Sequence, residues 1–264
     1  MNIFRRELKA NFRSLLIWGV IVVLFVMVGV SKFSAYYGNP EMLAILDQMP
    51  PALLSAFSFQ AFNLTTVTGF FGLMFTYFAL LVSIAAAMWG SDIISKEERD
   101  KTVEFSLTLP VTRSRVVTAK ALAALVNCIA LLFITWGASL ASAAQYQPDG
   151  EFYRFLALCM LALFIMQLIF LAIGIFLGCA MKRYKRASAV AVSVLLGTYF
   201  LSVLSGLHRD LEFLKYLSPF KYFDAGVLLR ESRLDVTFVV LSAAIVLLSM
   251  AGAYWSYTRR DLYI

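Results

Sequence analysis

Six long runs of apolar residues dominate this chain and limit what it can fold into. A helix needs about 20 apolar residues to cross roughly 30 Å of hydrocarbon, and none of the runs carries an ionisable side chain in its central part. They therefore predict six membrane-spanning segments. These cover about residues 14–33, 68–90, 119–144, 155–180, 187–206 and 236–257.

The spans are predicted to be α-helices, because backbone N–H and C=O groups in lipid must be paired within the segment. Strands of a membrane barrel would be about 10 residues long with alternating polarity, and these runs do not alternate. Composition agrees, since 61% of the residues are hydrophobic and 15% are charged, against about 25% charged in a typical soluble domain. We expect one all-α integral membrane domain that comprises residues 1–264.

The distribution of lysine and arginine predicts the orientation of the chain. With both termini in the cytoplasm, the segments on that side hold more than twice as many basic residues as the outer segments. Such a bias toward the cytoplasm is the general rule for membrane proteins. We therefore expect a multi-pass protein of the plasma membrane with cytoplasmic termini. The net charge of +7 follows from this bias and does not indicate binding to nucleic acid.

Two segments outside the spans are predicted to lie at the membrane surface. Residues 1–13 place apolar side chains on one helical face and basic side chains on another, which is typical of an amphipathic interfacial helix. The alternative is a basic flank that only anchors the first span. Residues 207–235 mix charged and aromatic residues and contain Pro219. They predict two short amphipathic helices that dip into the outer leaflet as a re-entrant-type segment.

Charge is concentrated in the loop between the second and third spans. Residues 91–120 carry six basic and five acidic side chains. Ser95 and Glu98 have the spacing of a capping box, in which the serine caps a helix and the glutamate bonds back to the serine amide. Glu97 and Lys101 stand four residues apart in the order that favours pairing on a helix. A short charged helix is therefore predicted here.

This helix is expected to end at Pro110, because proline disrupts a helix interior. Thr112 or Ser114 would cap the next helix, which runs through Lys120 into the third span. A charge run of this kind is usually a solvated surface. Here its rigid linkage to two spans, on a chain without a motor of its own, favours contact with a soluble partner.

No motif for nucleotide binding, catalysis or a metal is present in the sequence. The GxxxxGK[ST] loop that cradles phosphates is missing, and the chain has one histidine. Three cysteines fall in predicted spans without the spacing of a metal or redox site. We therefore expect a chain that is not an enzyme and holds no cofactor or metal.

Uncharged spans also disfavour an ion-coupled carrier, which needs ionisable groups inside the bundle. Energy for uphill transport would then come from another subunit. Neutral polar residues in the spans can hydrogen-bond between helices or line a polar path. The candidates for such a path are Asn127, Gln167 and Thr198.

The charged loop reads Glu97-Glu98-Arg99-Asp100-Lys101-Thr102-Val103-Glu104, followed by Leu107, Pro110-Val111-Thr112-Arg113 and Lys120. This order resembles the corresponding loop of the ABC type 2 permeases, the membrane subunits of one class of ATP-driven exporters. That loop runs Glu-Glu-x-x-Gly-Thr-x-Glu, then leucines, then Pro-Val-Ser-Arg and a later lysine. Lys101 departs from the usual glycine and Thr112 from the serine. The six spans, the amphipathic start and the Arg259-Arg260-Asp261-Leu262 tail extend the resemblance.

The resemblance implies that residues 95–109, within a cytoplasmic coupling loop at 91–118, form a coupling helix that docks in a groove of a cytoplasmic ATPase subunit. Two permeases, identical or related, and two ATPases would form the exporter, and ATP and Mg²⁺ would bind in the ATPases. The residues implied in coupling are Ser95, Glu97, Glu98, Arg99, Asp100, Lys101, Thr102, Glu104, Pro110 and Arg113.

We therefore expect the permease subunit of an ABC exporter. Its cargo would be amphipathic or lipophilic, such as a peptide, an antibiotic or a lipid, and the chain would also contact membrane lipids. The alternative is a membrane scaffold or sensor without transport activity, whose charged loop binds another soluble partner.

Overall fold

The described part of the chain is helical, as a medium without hydrogen-bond partners requires. The computed structural model describes residues 3–37, 39, 62–99, 111–181, 184–207 and 209–259. Within these ranges, two 3₁₀ helices, Ala144–Tyr146 and Arg209–Leu217, lie between the α-helices. The α-helices are α1 (Ile3–Tyr36), α2 (Val67–Arg99), α3 (Arg113–Ala143), α4 (Gly150–Ala180), α5 (Tyr184–Leu207), α6 (Pro219–Tyr222), α7 (Ala225–Glu231) and α8 (Val236–Arg259).

Six of these helices, α1 to α5 and α8, are long and apolar enough to cross a membrane. Each matches one predicted span. They alternate in direction, so the starts of α1, α3 and α5 lie at one end of the bundle, with the ends of α2, α4 and α8. We call this the termini end, and the other the opposite end. α2 and α4 form the centre of the bundle. In the apolar 18-residue stretch of each, 61% of the stretch is buried, whereas only 11% is buried in the corresponding stretch of α8.

The two central helices approach each other at the backbone because glycines line their contact. A Cβ on Gly174 would lie 2.5 Å from the carbonyl oxygen of Ala87, and one on Gly178 would lie 2.8 Å from that of Ser91. Gly90 on α2 is equally crowded by the backbone of α4. Small residues spaced four apart allow the backbones of membrane helices to approach closely. The Gly174–Gly178 pair lies at such a close contact between α2 and α4.

The N-terminal segment does not form a separate interfacial helix. α1 is continuous from Ile3 to Tyr36, about 51 Å at 1.5 Å per residue, so it is longer than the hydrocarbon layer. Phe4 and Leu8 pack against the protein core, and Glu7 is buried on the same side of the helix. The interfacial helix predicted for residues 1–13 is therefore not confirmed as a separate element, because this segment continues into α1 and one of its faces packs against protein.

The second span also continues further than predicted. α2 extends to Arg99, and Ile93 and Ile94 are buried in the core. Ser95 lies inside this helix, 5% exposed, and does not cap a new one. The predicted capping box is wrong because the apolar packing of the span carries the helix past the first charged residues.

Residues 209–231 fold against the opposite end of the bundle. They form the 3₁₀ helix at 209–217 and then α6 and α7, with Pro219 in the first turn of α6. The Ser218 hydroxyl donates to the Thr198 carbonyl at 2.7 Å, and Tyr222 donates to the Tyr216 carbonyl at 2.6 Å. Proline separates two helical pieces, as predicted, although the second piece is itself divided after Tyr222.

Candidate coupling site at the termini end

The start of α3 is fixed by a cap and by contact with the last helix. Thr112 is the N-cap residue, and its hydroxyl accepts from the Arg115 amide at 3.3 Å. The Arg113 guanidinium lies 3.4 Å from the carbonyl oxygens of Tyr257 and Thr258. A cation is favoured near the C-terminal end of a helix. Arg113 thus joins α3 to α8.

A buried lysine joins α3 to α2. Lys120 is 1% exposed, and its ammonium donates to the Ile93 carbonyl at 2.9 Å. The two residues flank the segment 100–112 from either side. Because a buried ammonium must keep its hydrogen bonds, Lys120 fixes the distance between these helices close to the predicted coupling segment. The sequence placed Lys120 on the helix that leads into the third span and matched it to the later lysine of the family loop, but it did not indicate this buried bond.

Two further hydrogen bonds connect this end of α2 to other helices. The Trp89 indole N–H donates to the Ser14 hydroxyl of α1 at 2.8 Å. The Ser91 hydroxyl lies 3.0 Å from the Ser188 hydroxyl of α5 and also bonds to the Ala87 carbonyl of its own helix. α2 is therefore bonded to α1, α3 and α5 within its last three turns.

Two buried carboxamides inside the bundle have polar atoms without a hydrogen-bond partner among the described residues. Gln167 on α4 is 0% exposed, and both its amide nitrogen and its oxygen lack a partner. Asn127 on α3 is 2% exposed, and its amide nitrogen lacks one. Both lie near the middle of their helices. Leaving a buried polar group unsatisfied costs about 1–3 kcal/mol, so packing alone does not explain these two residues.

Thr198, the third predicted polar position, is fully engaged. Its hydroxyl donates to the Leu195 carbonyl of its own helix at 2.8 Å. Its carbonyl accepts from Ser218, which fastens the 209–231 segment to α5. Thr198 therefore anchors that segment in this structure, a role that its sequence context did not indicate.

Comparison with known families decides the class of this protein. The family model described as ABC-2 family transporter protein matches residues 1–262. The chain belongs to the ABC-2 transporter family. A search of curated proteins found no match. With six membrane-crossing helices it is a multi-pass membrane protein of the permease type, and permeases of this family normally work with an ATPase subunit.

The residues that the resemblance implies in coupling are only partly described in this ABC-2 protein. Ser95 is buried in α2, and Arg113 contacts the end of α8. The backbone of residues 97–99 continues α2. The predicted residues outside the described ranges are Asp100, Lys101, Thr102, Glu104 and Pro110. Their contact with an ATPase stays a prediction. Sequence reasoning did not find the bonds of Lys120 and Arg113, because basic residues beside a span are expected at the surface.

Gln167→Met is expected to raise the free energy of unfolding of this ABC-2 protein by about 1–3 kcal/mol, because it removes two buried polar atoms that lack partners. Thermal unfolding in detergent measures the effect. Thr135→Val is the matched control, since Thr135 is equally buried but its hydroxyl already donates to the Leu131 carbonyl at 2.8 Å. A greater loss of stability in Gln167→Met than in the control would contradict the absence of a partner.

Proposed function

We propose that this chain is the permease subunit of an ATP-driven exporter of the plasma membrane. A family match that spans residues 1–262 carries this proposal. Two permease copies, identical or related, would assemble with two cytoplasmic ATPase subunits, which bind ATP and Mg²⁺. The termini end would face the cytoplasm, in agreement with its excess of lysine and arginine. The cargo would be an amphipathic or lipophilic molecule that leaves the cytoplasm or the inner leaflet.

Energy would enter through the segment between α2 and α3. Closure of the ATPases on ATP would push residues 95–109, and the bonds described above would carry the displacement into the bundle. Lys120 holds α2 against α3, and Trp89 and Ser91 connect α2 to α1 and α5. The helices would then tilt together and open a path at the interface between permeases.

Asn127 and Gln167 are proposed as polar positions exposed to that path in another state of the transporter. Their unpartnered amides support this role, since they would gain water or cargo as partners when the helices separate. Thr198 is proposed to act less directly, because it anchors the 209–231 segment to α5 at the opposite end.

Reconstitution tests the function as a whole. The chain is expected to co-purify with an ATPase subunit, and proteoliposomes that contain both are expected to stimulate ATP hydrolysis when a cargo is added. A panel of peptides, antibiotics and lipids would identify the cargo. A chain that binds a different soluble protein and moves no cargo would instead be a scaffold or sensor.

Charge reversal of Glu97 and Glu98 to lysine is expected to reduce cargo-stimulated ATPase activity several-fold, because charged groups at an interface steer and orient the partner. Activity should be measured at low and at high salt, since salt screens exposed charges. Glu212→Lys serves as the matched control. That residue is an exposed glutamate of the 209–217 helix at the opposite end, paired with Lys215 at 2.8 Å. Wild-type activity in the double variant would exclude these residues from coupling.

A further inference from the structure

An open groove runs between α1 and α3 toward the opposite end of the bundle. Its volume is about 620 Å³, which falls within the roughly 300–1,000 Å³ of sites that bind small ligands in proteins. Residues of α1 between Val23 and Ser34 and residues between Ala138 and Tyr146 line it. Met27 and Ala141 are exposed in this lining. The groove therefore opens sideways, and a molecule can enter it from the bilayer.

The lining of the groove changes from apolar to polar at nearly the same height on both helices. The first polar lining residue is Ser31 on α1 and Ser142 on α3. The helices run in the same direction, and the rings of Phe33 and Tyr146 meet with centroids 4.8 Å apart. Counted back from that contact at 1.5 Å per residue, the two serines differ in height by about 3–4 Å. An occupant must therefore be apolar along the inner part of the groove and polar at its outer end.

The change in polarity coincides with the edge of the hydrocarbon layer. The uncharged stretch of α1 lies between Arg13 and Lys32, so its midpoint falls next to Val23. At 1.5 Å per residue, Ser31 lies about 13 Å beyond that midpoint and Ser34 about 17 Å. Half of the hydrocarbon layer is about 15 Å thick, so its edge falls between the two serines. Centring the whole of α1 in the layer moves both serines about 5 Å further out, and the inner part of the groove stays in hydrocarbon.

The extent of the groove favours a lipid over a helix of another protein chain. A membrane-spanning helix would continue past the middle of the bilayer, whereas the groove begins near the middle and covers one leaflet. A phospholipid has the same extent and the same change from apolar to polar. Its acyl chain gains little from leaving other acyl chains, so packing contacts and hydrogen bonds must hold it. Among the described residues that line the groove none is charged, so the lining does not select a headgroup by its charge.

Tyr146 supplies a rigidly held polar group at the outer end of the groove. Its ring packs against those of Phe33 and Tyr37, with centroids 4.8 and 4.9 Å away. Tyrosine suits this depth because its ring is apolar and its hydroxyl is polar. The hydroxyls of Ser34 and Ser142 donate to carbonyls of the same chain at 2.7 and 3.0 Å, which leaves them as acceptors. Ester and phosphate oxygens need a donor, and the Tyr146 hydroxyl can be that donor.

We propose that this groove binds one acyl chain of a phospholipid in the leaflet at the opposite end, with the Tyr146 hydroxyl donating to an ester or phosphate oxygen. The chain lies between α1 and α3 and reaches inward to Val23 and Ala138. The headgroup stays outside the groove. This site goes beyond the proposed export function and does not depend on it.

The test counts the lipids that the full-length chain retains in detergent, by native mass spectrometry after loosely bound lipid has been removed. The wild type is expected to retain one phosphatidylcholine more per chain than Ala141→Phe, whose larger side chain fills the groove. Ala243→Phe is the matched control, because it makes the same change at an exposed alanine of α8 outside the groove. It should retain as many lipids as the wild type.

The choice of lipid tests which part of the molecule is bound. Palmitoyl lysophosphatidylcholine should replace phosphatidylcholine, because the groove takes one chain. Phosphatidylglycerol should be retained as well as phosphatidylcholine, because the described lining carries no charge. A strong preference between these two headgroups would overturn the proposal. Equal retention in Ala141→Phe and the wild type would also overturn it. A dimer that Ala141→Phe breaks without loss of lipid would identify a second copy of the chain as the occupant instead.

Tyr146→Phe tests the donor while it keeps the packing of the ring. It is expected to weaken the binding of palmitoyl lysophosphatidylcholine about twofold to tenfold, the effect of losing one neutral hydrogen bond. Titration followed by native mass spectrometry measures the change. Tyr37→Phe is the matched control, since Tyr37 belongs to the same ring cluster but does not line the groove. Equal binding by the two variants would exclude Tyr146 as the donor.

Discussion

Gly174→Leu is expected to prevent α2 and α4 from packing and to abolish the recovery of folded, monodisperse protein. A Cβ at this position would lie 2.5 Å from the Ala87 carbonyl oxygen and 3.1 Å from the Ser91 amide nitrogen. Both neighbours are backbone atoms of the central helix, which cannot move aside as a side chain can. Overpacking against side chains costs about 1–3 kcal/mol, and separating two backbones should cost more. Size-exclusion chromatography and thermal unfolding in detergent measure the loss.

Gly197→Leu provides the matched control for this variant. Gly197 lies on α5, and an added Cβ there would meet no atom within 4 Å. The same chemical change should therefore leave the yield and the unfolding temperature close to those of the wild type. Gly174→Ala should fall between the two, because it adds the clashing Cβ and nothing beyond it. A folded Gly174→Leu variant with wild-type stability would show that the contact between α2 and α4 is not as close as the structure has it.

The six spans could be predicted from the sequence because the bilayer imposes both a length and an apolar composition on each of them. Helix ends were less predictable. α2 continues to Arg99 because Ile93 and Ile94 are buried against neighbouring helices, whereas the sequence pattern placed a helix start at Ser95. A capping box describes local hydrogen bonding, and tertiary packing overrode it here. The same cause joins the N-terminal segment to α1, since Phe4 and Leu8 face protein.

The sequence pointed to a candidate site between α2 and α3, whose role in coupling stays a prediction, but it did not indicate the bonds around that site. The absence of a motor motif and the charge between α2 and α3 both indicated the termini end. Burial of Lys120 could not be predicted, because the carbonyl that it contacts lies 27 residues earlier and is brought near only by helix packing. Arg113 is similar, since its partners at the end of α8 lie more than 140 residues later. Sequence patterns of helical period report neighbours within one helix and not these distant ones.

Lys120→Met is expected to lower the amount of cargo transported per ATP hydrolysed about tenfold or more, because it weakens the coupling between the proposed ATPase and the permease. The change nearly keeps the length of the side chain but removes the bond from the ammonium to the Ile93 carbonyl. A hydrogen bond from a charged group contributes about 1.5–3 kcal/mol, and 1.4 kcal/mol corresponds to a factor of ten. α2 and α3 would then respond separately to movement of the segment between them. The measurement is cargo transported per ATP hydrolysed in proteoliposomes.

A control on the same helix separates a loss of coupling from a general loss of stability. Thr118 bonds to the Tyr254 hydroxyl of α8 at 2.8 Å, so Thr118→Val also removes a bond between helices but leaves α2 and α3 joined. It should lower transport per ATP far less than Lys120→Met. Equal losses in the two variants would mean that any bond between helices at this end supports coupling. Lys120 would then have no distinct role, and the displacement would have to enter the bundle by another route.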